Sequence, residues 1–125
     1  MIKELIDRAV KAKDMAYAPY SGFRVGACVL SRRGGIYCGA NVENASFSLT
    51  ICAERAAIFR AVFEGDSEIE AIAIATDAED FVYPCGACRQ VIAEFSNNPR
   101  IIMVNRKGET KTVEFVTIFP NAFEL

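Results

Sequence analysis

Apolar residues recur at helical spacing through Ile2, Leu5, Ile6, Ala9 and Val10, with charged residues between them. The pattern predicts an amphipathic helix running to about Ala16 and ended by the turn Pro19-Tyr20-Ser21-Gly22. Val25 to Leu30 and Ile36 to Ala40 read as strands around Ser31-Arg32-Arg33-Gly34-Gly35, a hairpin with a glycine turn. From about Ile51 to Glu64 the strong helix formers Ala53, Glu54, Arg55, Ala56 and Ala57 precede Phe59, Val62 and Phe63, and Gly65 is placed to stop the helix. Ile69 to Thr76 is almost continuously apolar, as in a strand buried on both faces, and Cys85 to Phe95 returns to a helical period. Ile101 to Val104 and Thr112 to Val116 add two strands around Arg106-Lys107-Gly108.

Strands alternating with helices imply an α/β fold with a five-stranded mixed sheet and helices on both faces, three layers in all. Residues 1–125 are expected to form one domain, because a chain of 125 residues can bury roughly two-thirds of its unfolded surface in one core. Hydrophobic residues make up 52% of the chain, which leaves apolar surface for contacts between subunits. The formal net charge of −2 supplies no positive field for phosphates, and the basic pairs Arg32-Arg33 and Arg106-Lys107 sit beside glycines as solvated turns. Nucleic acid is therefore not expected as a partner. Charges interrupt the first twenty residues and no later run reaches membrane-spanning length, so neither a signal peptide nor a membrane is expected, and a cytoplasmic location follows.

The chain has five cysteines and no histidine. In a reducing compartment thiols serve as ligands, nucleophiles or small core residues. Cys28 and Cys38 flank the glycine turn and can face each other across the hairpin; they are expected to be core residues. The other three lie in Cys52-Ala53-Glu54 and Pro84-Cys85-Gly86-Ala87-Cys88. Three thiolates can hold Zn²⁺ and leave one tetrahedral position for water, while a fixed carboxylate moves that water's protons. Residues two apart on a helix point about 200° from each other, so the metal must sit off the helix N-terminus and Glu54 is free for proton transfer. Three thiolates leave the centre at −1, and Arg55, three positions after Cys52, is placed to compensate. Arg89, beside Cys88, is either a similar partner or a surface residue. A closed structural site would need Cys28 or Cys38 as fourth ligand; one Cys beside a glutamate plus one C-x-x-C pair is the open, catalytic arrangement.

The blocks "APYSGFRVGA", "GANVENASF", "TICAERAAI" and "PCGACRQ" resemble the small homotetrameric zinc-dependent cytidine deaminases, from the first helix to the last phenylalanine. The resemblance implies that Cys52, Cys85 and Cys88 bind one zinc per chain and that Glu54 is the proton shuttle. It implies that Asn41 and Glu43 hold the ribose hydroxyls, that Phe23 and Ala53 contact the nucleoside, and that Phe123 reaches a neighbouring subunit's pyrimidine in a homotetramer. The implied reaction is hydrolytic deamination of cytidine and deoxycytidine to uridine or deoxyuridine plus ammonia, a step of pyrimidine salvage. Phe47 stands where the family usually has tyrosine and Tyr83 where serine commonly precedes Pro84. These departures bear on subunit contacts and the pocket rim.

Overall fold

A computed structural model describes residues 1–125. Helix α1 (Ile2–Lys13) leads into strands β1 (Val25–Ser31) and β2 (Ile36–Ala40), then helix α2 (Ala53–Phe63), strand β3 (Ile69–Thr76), helix α3 (Gly86–Glu94) and strands β4 (Ser96–Val104) and β5 (Thr110–Glu114). One five-stranded sheet runs in the order β2-β1-β3-β4-β5. Only β3 and β4 are parallel. The α3 crossover joins them, as a parallel pair requires.

The alternating run Ala71-Ile72-Ala73-Ile74-Ala75 explains the three layers. The alanines, with Cys28, Leu30, Ile102 and Val104, pack under Leu5 and Ala9 of α1. Ile72 and Ile74 point the other way, with Val29, Ile101 and Met103, onto Ala57, Ile58 and Ala61 of α2 and Ile92 of α3. Small side chains on one face thus let α1 lie close, and larger ones fill the deeper layer below α2 and α3. A Cβ built on Gly26 would strike Ala9 O and Lys13 N of α1, and one on Gly39 would lie 2.6 Å from Ala57 N. Both helices therefore reach the sheet only because those strand positions have no side chain.

The five-stranded mixed sheet with helices on both faces is as expected, and several boundaries move. The first helix stops at Lys13, because Tyr17 is drawn into an extended bridge, donating its N–H to Asn41 O at 2.9 Å. Strand β4 begins five residues early, at Ser96, through an irregularity: Ser96 pairs with Ile69, but Arg100 pairs with Ala71. Pro99, which has no N–H, and Asn98, at φ 48°, occupy that bulge and break the strand pattern in the sequence. Strand β5 ends at Glu114, and Phe115–Thr117 form a 3₁₀ turn that swings Phe115 into the core. A second 3₁₀ turn, Phe47–Leu49, was not expected.

Cys28 and Cys38 are a correction. Asn41 N donates to Val25 O at 3.2 Å, so counting along β1 and β2 makes Cys28 and Cys38 a non-hydrogen-bonded pair, the type whose side chains come closest. Their Cα atoms are 4.1 Å apart and their sulfurs are joined in a disulfide. They are not separate core thiols, and neither is available as a fourth metal ligand.

Replacement of Gly26 by alanine is expected to lower unfolding stability by at least about 1–3 kcal/mol, the usual cost of forcing atoms into a packed layer. Urea unfolding checks this. A Gly26→Ala protein as stable as the parent would mean that α1 does not sit on β1 as described.

Candidate metal centre

The parallel strands β3 and β4 end on the side of the sheet where α2 and α3 begin, and each helix is capped by a cysteine. Cys52 is the N-cap of α2, in extended conformation (φ −76°, ψ 153°). Cys85 caps α3, and its sulfur accepts the Cys88 N–H at 3.4 Å. Two helix N-termini, each with unpaired N–H groups and partial positive charge, therefore converge on the sulfurs. The Sγ atoms of Cys52, Cys85 and Cys88 all lie within 4.8 Å of one another, and Cys52 Sγ is 3.9 Å from Cys85 Sγ. Sulfurs about 2.3 Å from a tetrahedral zinc stand about 3.8 Å apart, so the set fits the ion in size as well as in donor type.

The electrostatics fit a cation too. The Cys88 thiol, hydrogen-bonding to Cys52, lowers the Cys52 pKa to about 5, with Arg55 adding to the effect. Cys88 shifts strongly upward, first because its proton is engaged by Cys52 and second because it is buried. Protein groups alone thus favour one thiolate in this pair, and a bound dication is what allows all three sulfurs to ionise. Arg55 Nη2 donates to Cys52 Sγ at 3.3 Å, the contact that its three-residue offset predicts, and its Nε is buried without a protein partner.

Glu54 lies on α2 between these two residues, only 6% exposed. Burial pushes its carboxyl up to about 7, and the neighbouring Cys52 thiolate adds to the shift. It is not in the group of converging metal donors. Ala53 is fully buried with its methyl in the core beside Ala57, which leaves only its main chain to meet a ligand.

Asn41 and Glu43 follow β2 on a segment held against the start of α2. Val42 N donates to Ile51 O at 3.1 Å, and Ile51 N returns a bond to Val42 O at 3.0 Å. Both residues also organise the segment Tyr20 to Val25. The Asn41 amide accepts from Val25 N at 2.8 Å and donates to Phe23 O at 2.8 Å. Glu43 Oε1 accepts from Tyr20 N at 3.0 Å and Ser21 N at 3.1 Å, and the Ser21 hydroxyl donates to Oε2. These bonds, Ser21's hydroxyl first, hold the Glu43 carboxyl below its ordinary pKa. Arg24 Nε adds a bond to Asp77 at 3.0 Å, tying the same segment to the residue after β3. Phe23 remains 38% exposed.

Other contacts had no signal in residue spacing. Arg89 donates from Nε to Pro84 O and from Nη1 to Ile118 O, both at 2.8 Å, so it braces the turn before Cys85 and is not a free surface cation. Gln90 clamps the main chain of Phe123 from both sides, donating to its carbonyl at 3.1 Å and accepting its N–H at 3.3 Å. The Phe123 ring is 70% exposed. Phe47 packs edge-on against Tyr20 with centroids 5.7 Å apart, and Lys111 Nζ stands 5.6 Å over the Tyr83 ring.

The family model for the cytidine and deoxycytidylate deaminase zinc-binding region matches residues 1–105. A cytidine deaminase of Sporosarcina psychrophila is 46% identical over 123 residues, spanning 98% of this chain and 90% of that protein. One from Halalkalibacterium halodurans is 44% identical over 120 residues, spanning 95% and 91%. A crystal structure of cytidine deaminase from Burkholderia pseudomallei superposes with a TM-score of 0.93 at 38% identity, covering 98% of this chain and 99% of that one.

The purified protein is expected to hold one zinc per chain, and Cys52→Ala, Cys85→Ala and Cys88→Ala each to lose it, as read by metal analysis. Cys28→Ala should keep its zinc. Full occupancy in Cys85→Ala, or loss in a folded Cys28→Ala protein, contradicts the ligand set.

Proposed function

The chain belongs to the cytidine and deoxycytidylate deaminase family, and we propose that it hydrolyses cytidine and deoxycytidine to uridine or deoxyuridine and ammonia, as a pyrimidine-salvage enzyme. This reading rests on a buried carboxyl, Glu54, between the cysteine at the N-cap position of α2 and the arginine that bonds its sulfur. Cys52, Cys85 and Cys88 would hold a zinc ion, which would supply the Lewis acid that makes water nucleophilic near neutral pH. Glu54 takes a proton from water as the water oxygen bonds to C4, and gives it to ring nitrogen N3; it then takes the remaining proton of the C4 hydroxyl and delivers it to the amine, so that the C4–N4 bond breaks, ammonia leaves and a C4 carbonyl remains. A carboxyl shifted upward by burial suits both directions of transfer, since it gives up a proton more readily than water and holds one more firmly than an exposed glutamate. Arg55 tempers the anionic sulfur set without contacting substrate.

The remaining residues select the substrate. Phe23 packs on the nucleoside, the Ala53 main chain meets the base, and Asn41 and Glu43 hold the ribose hydroxyls with the acceptor and donor capacity that the 20–25 segment leaves unused. Glu43, ionised, occupies the place that a 3′-phosphate would need, so free nucleosides enter and polynucleotides do not.

Met15, Phe47, Leu49, Phe63 and Phe123 are each more than two-thirds exposed. So much apolar surface supports burial between copies, and we place Phe123 in a neighbouring subunit's site within a homotetramer of one-domain chains. No helix is long and apolar enough to cross a membrane. We place the protein in the cytoplasm, where Cys52, Cys85 and Cys88 stay reduced as ligands, although the Cys28–Cys38 disulfide is a feature more common outside it.

Glu54→Gln is expected to keep zinc and fold while turnover of cytidine falls by at least about 10²–10⁴, the share of general acid–base catalysis. Turnover within tenfold of the parent excludes Glu54 as the proton carrier. Deleting Phe123 to Leu125 should raise KM with zinc content intact, and sedimentation should give a tetramer for the parent. A fully active monomer, or an unchanged KM in the truncated protein, rejects the shared site.

A further inference from the structure

Glu43 does not face the cleft as an unoccupied carboxylate. A carboxylate oxygen accepts about two hydrogen bonds in its plane, and Oε1 already receives two, from Tyr20 N and Ser21 N. Oε2 receives one, from the Ser21 hydroxyl. One in-plane acceptor position is therefore left for a ligand, on the oxygen that Ser21 holds.

The Ser21 hydroxyl is itself held. Its oxygen accepts the Phe23 N–H at 2.9 Å, so its single proton is aimed at Glu43 Oε2 and not at solvent. The carbonyl of the same Phe23 accepts a hydrogen bond from the Asn41 amide at 2.8 Å. Ser21 is thus the joint between Glu43 and Phe23, and its hydroxyl bonds only to those two residues.

We propose that Ser21 is a positioning residue for sugar recognition: its hydroxyl turns the one free acceptor of Glu43 toward the ribose 3′-hydroxyl. The inference rests on the assignment of Glu43 to the ribose made above. Without the hydroxyl, Oε2 gains a second free acceptor position, the carboxylate pivots on Oε1, and water competes for the place of the sugar. The loss falls on binding and not on the chemistry at C4, which lies with Glu54. It also falls only on substrates that carry the 3′-hydroxyl.

The experiment compares cytidine and 3′-deoxycytidine as substrates for the parent, Ser21→Ala, Ser21→Thr and Glu43→Gln, with zinc content and melting temperature measured on each protein. Ser21→Ala should raise KM for cytidine about tenfold, as expected for loosening a charge-assisted hydrogen bond, with a much smaller change in kcat. Its KM for 3′-deoxycytidine should stay close to the parent's, and Ser21→Thr, which restores a hydroxyl, should recover most of the cytidine KM. An equal KM rise on both substrates, or no recovery in Ser21→Thr, overturns the proposal and leaves Ser21 as a loop brace. If Glu43→Gln treats the two substrates alike relative to the parent, the ribose assignment itself fails and the role of Ser21 falls with it. If Glu43→Gln discriminates and Ser21→Ala does not, only the positioning role fails.

Discussion

Gathering three sulfurs around one point is the constraint on which the site depends, because each added thiolate repels those already there. The protein meets it with two helix N-termini aimed at the same place. Cys52 and Cys85 are the capping residues of α2 and α3, so both sulfurs lie beside unpaired N–H groups, and Cys88 turns back from the first turn of α3. Arg55 is the one side-chain cation that hydrogen-bonds a sulfur, and Cys88 is shifted strongly upward by the proton it shares with Cys52 and by burial, so the protein alone does not ionise all three sulfurs. Zinc makes up the difference, which is why metal and fold are expected to be coupled here.

The sheet fixes where those helices start. Gly39 and the small residues Ala56 and Ala57 let α2 rest directly on the sheet, and the Ala/Ile alternation of β3 sets the depth of both layers. A helix displaced outward by a single methylene would carry Cys52 away from the α3 sulfurs. Packing at positions far from the reacting atoms thus controls the distance that the chemistry needs.

Local signals in the sequence carried the elements with strong periodicity. Ile69 to Thr76 was legible to the residue, and the helix starts near Cys52 and Cys85 were legible from the run of helix formers after Ile51 and the helical period after Cys85. Non-local features were not. The early start of β4 is hidden by Pro99 and Asn98, which read as a loop yet sit in a bulge paired through Ser96. The Cys28–Cys38 bond depends on the hydrogen-bonding parity of a strand register, which spacing alone does not give. The resemblance pointed to Asn41 and Glu43 through their sugar contacts alone; their second task, pinning the 20–25 segment, is visible only in three dimensions. Gln90 and Arg89 belong to the same class, since their partners are main-chain atoms about thirty residues away or hidden in a turn.

Three cysteines of one chain make an open zinc centre, with a fourth position left for water. X-ray absorption at the zinc edge of the substrate-free protein reads this directly. Three sulfur scatterers at about 2.3 Å and one oxygen or nitrogen scatterer at about 2.0 Å are expected. Four sulfur scatterers, or two sulfurs with two light atoms, would contradict it.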